Sequence, residues 1–399
     1  MSCPEVDVFH KLVAGDLPPD QRAVIADHAA TCRSCHEMIT ALVTRHGAET
    51  RDGIAGLAVG AVIGGRFRID DIIGVGGMGI VVAATHLELG TRAAIKFLRE
   101  EMLGHADIGE RFVREARAVV RLRTEHVCRV TDIARLDSGA PYIVMELLDG
   151  VDLARTVARG PLPMTIAVEY VMQACVALAE AHTQGIVHRD LKPGNLFVTR
   201  SATGGPLIKV LDFGVAKAMY EHGSALTRTR MTLGSPGYMS PEQLESPKSV
   251  DARADIWALG VTLYQLLAGR LPFSAPSAPL LAVKIATEAP APLSTEPRLA
   301  AVVMRCLDKV IDRRYPDVAA LAADLVPFGG PSARRIAQAV AQAAVGAPGT
   351  GPRAPVAGPP GTGSRPALGP LTQATGASSV ASAPSAAYPV GGGYATVGT

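Results

Sequence analysis

The hydrophobic pattern of this chain changes period once, and that change fixes the order of its architecture. From Arg66 to about Ala94, apolar runs alternate with Gly-rich turns in "RFRIDDIIGVGGMGIVVAAT" and "TRAAIKFL", as strands do. "IGERFVREARAVVRL" then has helical spacing, and "PYIVMELLDG" reads as one more strand. From Met164 onward the periodic segments are helical: "MTIAVEYVMQACVALAEAHTQG", "ADIWALGVTLYQLLAG", "LAAVVMRCLDK" and "VAALAADL". The spacing predicts an α+β fold in which a small β-rich lobe precedes a larger helical lobe.

The flanks differ from this middle. Residues 1–50 read as a small unit of two short helices, and 51–65 as a Gly-rich linker. The two lobes are expected over 66–328. After Asp324 no acidic residue follows, and from Gly346 the chain is largely Pro, Gly, Ala, Ser and Thr. Such a composition buries too little to order itself, so 329–399 is expected to be a mostly disordered tail. A net charge of +2 calls for neither nucleic acid nor an anionic membrane. The N-terminal stretch has no secretory pattern, and the apolar run 53–65 is shorter than the roughly 20 residues of a membrane span. The expectation is a cytoplasmic protein without membrane or nucleic-acid contacts.

"HRDLKPGN" at 188–195 concentrates the chemistry. Asp190, Lys192 and Asn195 lie close enough in one loop to touch a single magnesium–nucleotide complex. "GVGGMGIV" places Gly74, Gly76 and Gly79 ahead of Val81, where bare backbone N–H groups can approach phosphate oxygens. A dinucleotide fold shares this spacing but follows it with a helix. Here "GIVVAATH" continues as a strand, which excludes that fold locally. "AAIK" ends in Lys96, an ammonium for α- and β-phosphates, and Glu115 lies beside the apolar face of the following helix. "VLDFGVAK" supplies Asp212, Phe213 and Gly214, and "GSPGYMSPE" and "DARADIWALG" come next in order.

With these motifs in this order, the chain resembles the eukaryotic-like Ser/Thr protein kinases of bacteria over about residues 66–328. The resemblance implies a bilobal kinase fold, ATP with Mg²⁺ or Mn²⁺ as cofactors, and protein Ser/Thr hydroxyls as substrates. It implies that Asp190 orients the attacking hydroxyl, Lys192 neutralises the phosphoryl group in transit, and Asn195 and Asp212 hold the metal. Lys96, paired with Glu115, would place the α/β-phosphates, with Val81 and Ala94 lining the nucleotide site. Met145 would back the adenine pocket, with hinge residues Glu146 to Leu148 bonding the base. Glu242 would pair with Arg314, and Asp255 would brace the His188–Arg189 backbone. The segment "LTRTRMTLGS" offers Thr227, Thr229 and Thr232 for autophosphorylation, near Arg189 and ahead of Ser235.

"HAATCRSC" sets His28, Cys32 and Cys35 at H-x₃-C-x₂-C spacing, three soft ligands suited to tetrahedral Zn²⁺. Cys3 is the expected fourth ligand, with His10 in reserve. The segment resembles zinc-binding domains of anti-sigma factors, which implies a regulatory protein docked on it. "CRSCH" also fits a haem-attachment motif, but the expected cytoplasmic location disfavours it. The remaining rival is a pseudokinase that binds nucleotide and serves as a docking module.

Overall fold

The structure is a computed structural model that describes Val8, Cys32, Ser34, Cys35 and residues 57–76, 79–99, 102, 106–213, 236–246 and 250–345. Cys3, His10, His28, Gly214, Thr227, Thr229, Thr232, Ser235 and the region beyond Val345 lie outside them.

The first lobe is an antiparallel sheet of β1 (Val62–Ile63), β2 (Phe67–Val75), β3 (Gly79–His86), β4 (Arg92–Leu98), β5 (Val130–Arg135) and β6 (Pro141–Glu146). Its spatial order is β1-β2-β3-β4-β6-β5. One face buries Ile69, Val82, Ile95, Phe97, Tyr142 and Val144. Against the other lies α1 (Ala106–Val119), whose Phe112 and Ala116 pack on Leu98 and Ile143. Residues 57–65 are not a linker: Leu57 and Ile63 are buried in the first face, and Val62–Ile63 pairs with Phe67–Arg68. Glycines surround these two apolar side chains, which is why the stretch reads as a spacer.

The second lobe is built on α3 (Met164–Thr183), reached through β7 (Val151–Asp152) and α2 (Leu153–Val157). Helix α3 is long and apolar enough to cross a membrane by composition, but it is mostly buried inside this lobe. Then come strands β8 (Leu196–Arg200) and β9 (Pro206–Val210), a hairpin inside a region read from sequence as helical. After it come α4 (Pro241–Glu245), α5 (Arg253–Ala268), α6 (Ala278–Thr287), α7 (Pro297–Cys306), α8 (Val318–Leu325) and α9 (Ala333–Val345). Helix α5 is buried on nearly all sides. Its Gly260 admits α7 closely, since a Cβ there would lie 2.5 Å from the Cys306 Cβ. Asp317 caps α8 through Ala320 N at 2.8 Å.

The boundary expected at Phe328 is corrected by α9, which packs on α3 and buries Ala333, Ile336 and Val340. Ala- and Gln-rich composition masks a strong helix former here. Ser332 Oγ donates to Glu169 Oε1 at 2.5 Å at the entry to this helix.

The chain crosses between lobes at 147–150, and a second tie lies beside the crossing. Val210 N donates to His126 O at 2.8 Å and Cys128 N to Val210 O at 3.1 Å, so the connector between α1 and β5 rides on β9. Lys209 Nζ pairs with Glu146 Oε1 at 2.7 Å across the same junction.

Candidate active site

Sheet register gathers the positions expected to face nucleotide. Gly74 lies opposite Val81, Val81 opposite Lys96, and Ala94 opposite Met145, so the pleat points all of them to one face. Gly79 is required by sterics, because a Cβ would fall 1.9 Å from Phe97 O. Gly76 N donates to Gly79 O at 2.9 Å, closing the turn. Between β6 and the next element, Glu146 N donates to Arg129 O at 3.0 Å, and Glu146 O accepts a long 3.8 Å contact from Cys128 Sγ. Leu148 makes no backbone hydrogen bond among the described residues, which leaves its N–H open to a ligand in the cleft.

Asn195 and Asp212 end up adjacent because they bracket the β8–β9 hairpin. Leu196 pairs with Val210, and Leu211 N donates to Asn195 O at 2.9 Å. Asn195 Nδ2 donates to Asp190 O at 2.7 Å and to Asp190 Oδ2 at 3.2 Å. With its nitrogen committed, the amide presents Oδ1 as its remaining donor atom to a cation. An oxygen of Asn195 and the carboxylate of Asp212 form a hard donor set that fits Mg²⁺. Lys192 Nζ donates to Asp190 Oδ2 at 2.8 Å.

Lys96 departs from expectation. Its ammonium pairs with Asp212 Oδ1 at 2.5 Å, and among the described residues it forms no ion pair with Glu115. Both carboxylate oxygens of Glu115 are buried on α1, but Asp212 is the acid within reach of Lys96. Burial would raise the Asp212 carboxyl, yet the charge and hydrogen bond of Lys96 hold it below the usual carboxylate range. Asp212 still keeps 42% of its side chain exposed, so the pair opens on the cleft.

Two non-glycine residues adopt left-handed backbone here, Arg189 at φ 66° and Asp212 at φ 56°. Such conformations cost about 1–3 kcal/mol and persist only where neighbours enforce them. Asp255, fully buried in the first turn of α5, provides that enforcement for Arg189. Its Oδ1 accepts from Arg189 N and its Oδ2 from His188 N, both at 2.8 Å. His182 Nε2 bonds the same Oδ2 at 2.8 Å. Burial would push the Asp255 carboxyl up, but His182 and the backbone donors bring it below its ordinary value. The His188 ring packs on Phe213, donates from Nε2 to Leu211 O at 2.8 Å, and accepts from Asp190 N at 3.3 Å. Arg189 Nη2 donates to Val250 O at 3.2 Å. Glu242 and Arg314 form the expected bidentate pair at 2.7 and 2.8 Å.

His182 and Gln243 are the residues that sequence reading missed. Gln243 carries a signal, since "SPEQ" has the spacing of a helix capping box, but that pattern is silent on its contact with the Arg189 carbonyl.

A protein kinase domain model matches residues 67–323. The chain belongs to the protein kinase family. Its kinase domain is 39% identical over 278 residues to the Ser/Thr-protein kinase Pkn1 of Myxococcus xanthus, covering 68% of this chain and 39% of that protein. It is 38% identical over 270 residues to PknB of Mycobacterium tuberculosis, covering 65% and 42%. The chain thus spans about two fifths of the length of these curated relatives. Among solved structures, the PknI kinase domain of M. tuberculosis matches with a TM-score of 0.50 at 26% identity, covering 72% of this chain and 99% of that one. Of the four metal ligands expected at the N-terminus, Cys32 and Cys35 are among the described residues, and Cys3 and His28 lie outside them.

Proposed function

We propose that this chain is an ATP-dependent Ser/Thr kinase that moves the γ-phosphoryl group to hydroxyls of protein substrates, its own activation segment among them. The observation that carries this reading is the convergence of Asp190, Lys192, Asn195, Asp212 and Lys96 on one cleft. Asp190 orients the substrate hydroxyl and takes its proton; Lys192 offsets the charge of the phosphoryl group in transit. Asn195 and Asp212 would hold Mg²⁺ or Mn²⁺, which would supply positive charge against the phosphates. Lys96 supplies positive charge at the α/β-phosphates, while Glu146 O and Leu148 N–H bond the base in front of Met145. Fixed charges of this kind supply most of the catalysis. The pseudokinase reading is not favoured, since Asp190, Lys192, Asn195, Asp212 and Lys96 all stand together. Labelled ATP and a generic protein substrate test the proposal: Asp190→Asn should keep nucleotide binding and lose most phosphotransfer. Phosphotransfer within a few-fold of wild type in that variant defeats the role of Asp190.

Two finer readings accompany it, both resting on sequence. Residues 1–50 form a zinc-binding unit with Cys3, His28, Cys32 and Cys35 as ligands, and a regulatory protein docks on it in the cytoplasm. Elemental analysis of reduced protein should find one zinc per chain, and an undiminished content in Cys32→Ser would remove the idea. Thr227 and Thr229, flanked by Arg228 and Arg230, are autophosphorylated, with Thr232 a lesser acceptor. Mass spectrometry of active enzyme without phosphate on 227–235 would overturn this.

A further inference from the structure

The peptide unit between Arg189 and Asp190 is bonded at both of its polar groups. Its N–H, on Asp190, donates to His188 Nδ1 at 3.3 Å. Its C=O, on Arg189, accepts from Gln243 Nε2 at 2.8 Å, although Gln243 lies 54 residues away on α4. The other end of the Gln243 amide is equally committed: Oε1 accepts from Ser240 N at 3.1 Å and from Ser240 Oγ at 3.2 Å. Donors on one side and an acceptor on the other admit one orientation of the amide. Ser240 is itself fully buried. The plane of this peptide sets the direction in which Asp190 leaves the backbone, and Arg189 sits in a left-handed conformation that would relax without restraint.

We propose that Gln243, seated by Ser240, is a positioning residue that sets the orientation of Asp190 for phosphotransfer. Its amide holds the Arg189 carbonyl while Asp255 holds the Arg189 N–H, and it would act through Asp190 rather than on the reacting groups. The inference rests on the kinase reading above. Misplacement of a reacting group by about 1 Å can cost on the order of 100-fold in rate, so a loosened peptide plane should be visible in kcat.

Gln243→Glu and Gln243→Leu test it together, because both remove the donor to Arg189 O while only the first keeps an acceptor for Ser240. Steady-state kinetics should show kcat reduced about 10-fold or more in both. The KM for ATP should stay within about two-fold and the melting temperature near that of wild type. A role confined to capping α4 would instead spare Gln243→Glu, and kcat within two-fold of wild type in that variant overturns the proposal. So does a kcat lost only with the fold, since the amide would then hold α4 rather than Asp190. Hydrogen exchange over 188–195, read by mass spectrometry, should be faster in Gln243→Glu than in wild type. Should wild type transfer no phosphate, the kinase reading fails, and unchanged exchange decides against the positioning role by itself.

Discussion

Asp255→Asn replaces one oxygen of a fully buried carboxylate with an amide nitrogen at constant shape. Three donors converge there, Arg189 N on Oδ1 and His188 N with His182 Nε2 on Oδ2. Whichever side the new nitrogen takes, it meets an N–H group. The cheaper orientation gives up the single bond to Arg189, because the other gives up two. A hydrogen bond to a charged group contributes about 1.5–3 kcal/mol. The two retained bonds lose their charge assistance, while relaxation of the left-handed Arg189 returns part of the ~1–3 kcal/mol stored there. A net loss of roughly 2–4 kcal/mol follows. At about 2–4 °C per kcal/mol for a domain of this size, the melting temperature should fall by roughly 4–16 °C. Thermal unfolding followed by circular dichroism measures it, and a phosphotransfer assay should show kcat lower by at least ~10-fold. A melting temperature within 2 °C of wild type, with kcat unchanged, refutes the account of Asp255 as the enforcing residue.

Arg314→Met leaves the half-buried Glu242 carboxylate without its fork of donors and should cost about 3–5 kcal/mol in urea denaturation. Adding Glu242→Met should recover part of that loss; a strictly additive pair would contradict the coupling. Asp212, Glu242, Asp251 and Asp255 all titrate below the ordinary carboxylate range in the folded protein. Depressed folded values mean their stabilisation is complete above the unfolded carboxyl pKa of about 4 and disappears as pH falls through the folded values. Melting temperature should therefore hold from pH 7 to 5 and drop below about pH 4, and a rise on acidification would invert the sign argued here. Val340→Ala on α9 should cost about 1–2 kcal/mol by removing buried methyl groups. An unchanged denaturation midpoint would mean that α9 does not belong to the core of the second lobe.

The cleft was legible where its groups are neighbours in sequence. Asp190, Lys192 and Asn195 share one loop, and the alternation through Val81, Ala94 and Lys96 is a local period that register preserves. Asp255 and the Glu242–Arg314 pair were reached through family resemblance, since no local pattern links residues so far apart. What local pattern cannot express is competition between distant partners. Lys96 could be assigned an acid from sequence, but the choice between Glu115 and Asp212 depends on where α1 and β9 come to rest. The β8–β9 hairpin was hidden because its strands are five residues each and interrupted by "SATGG", too short to outweigh the helical signal around them. Helix α9 and the β1 segment were hidden by composition: Ala and Gly obscure the few apolar side chains that anchor each.

The bonding of the 126–128 connector to β9 gives the cleft a fixed pivot. Two stretches of chain meet the lobe boundary side by side, so sliding there would break hydrogen bonds that a swing about that line would keep. Along β4 the pivot end is Ala93, paired with Glu146, and the far end is Leu98, paired with Gly79. Five residue steps of strand put the glycine turn on the order of 17 Å out along the lever arm. Asp212 follows Val210, the residue bonded to the connector, by only two positions. Were the cleft to open about that line, Gly79 would travel through a wider arc than Asp212, so a bound nucleotide would be uncovered first at the glycine turn.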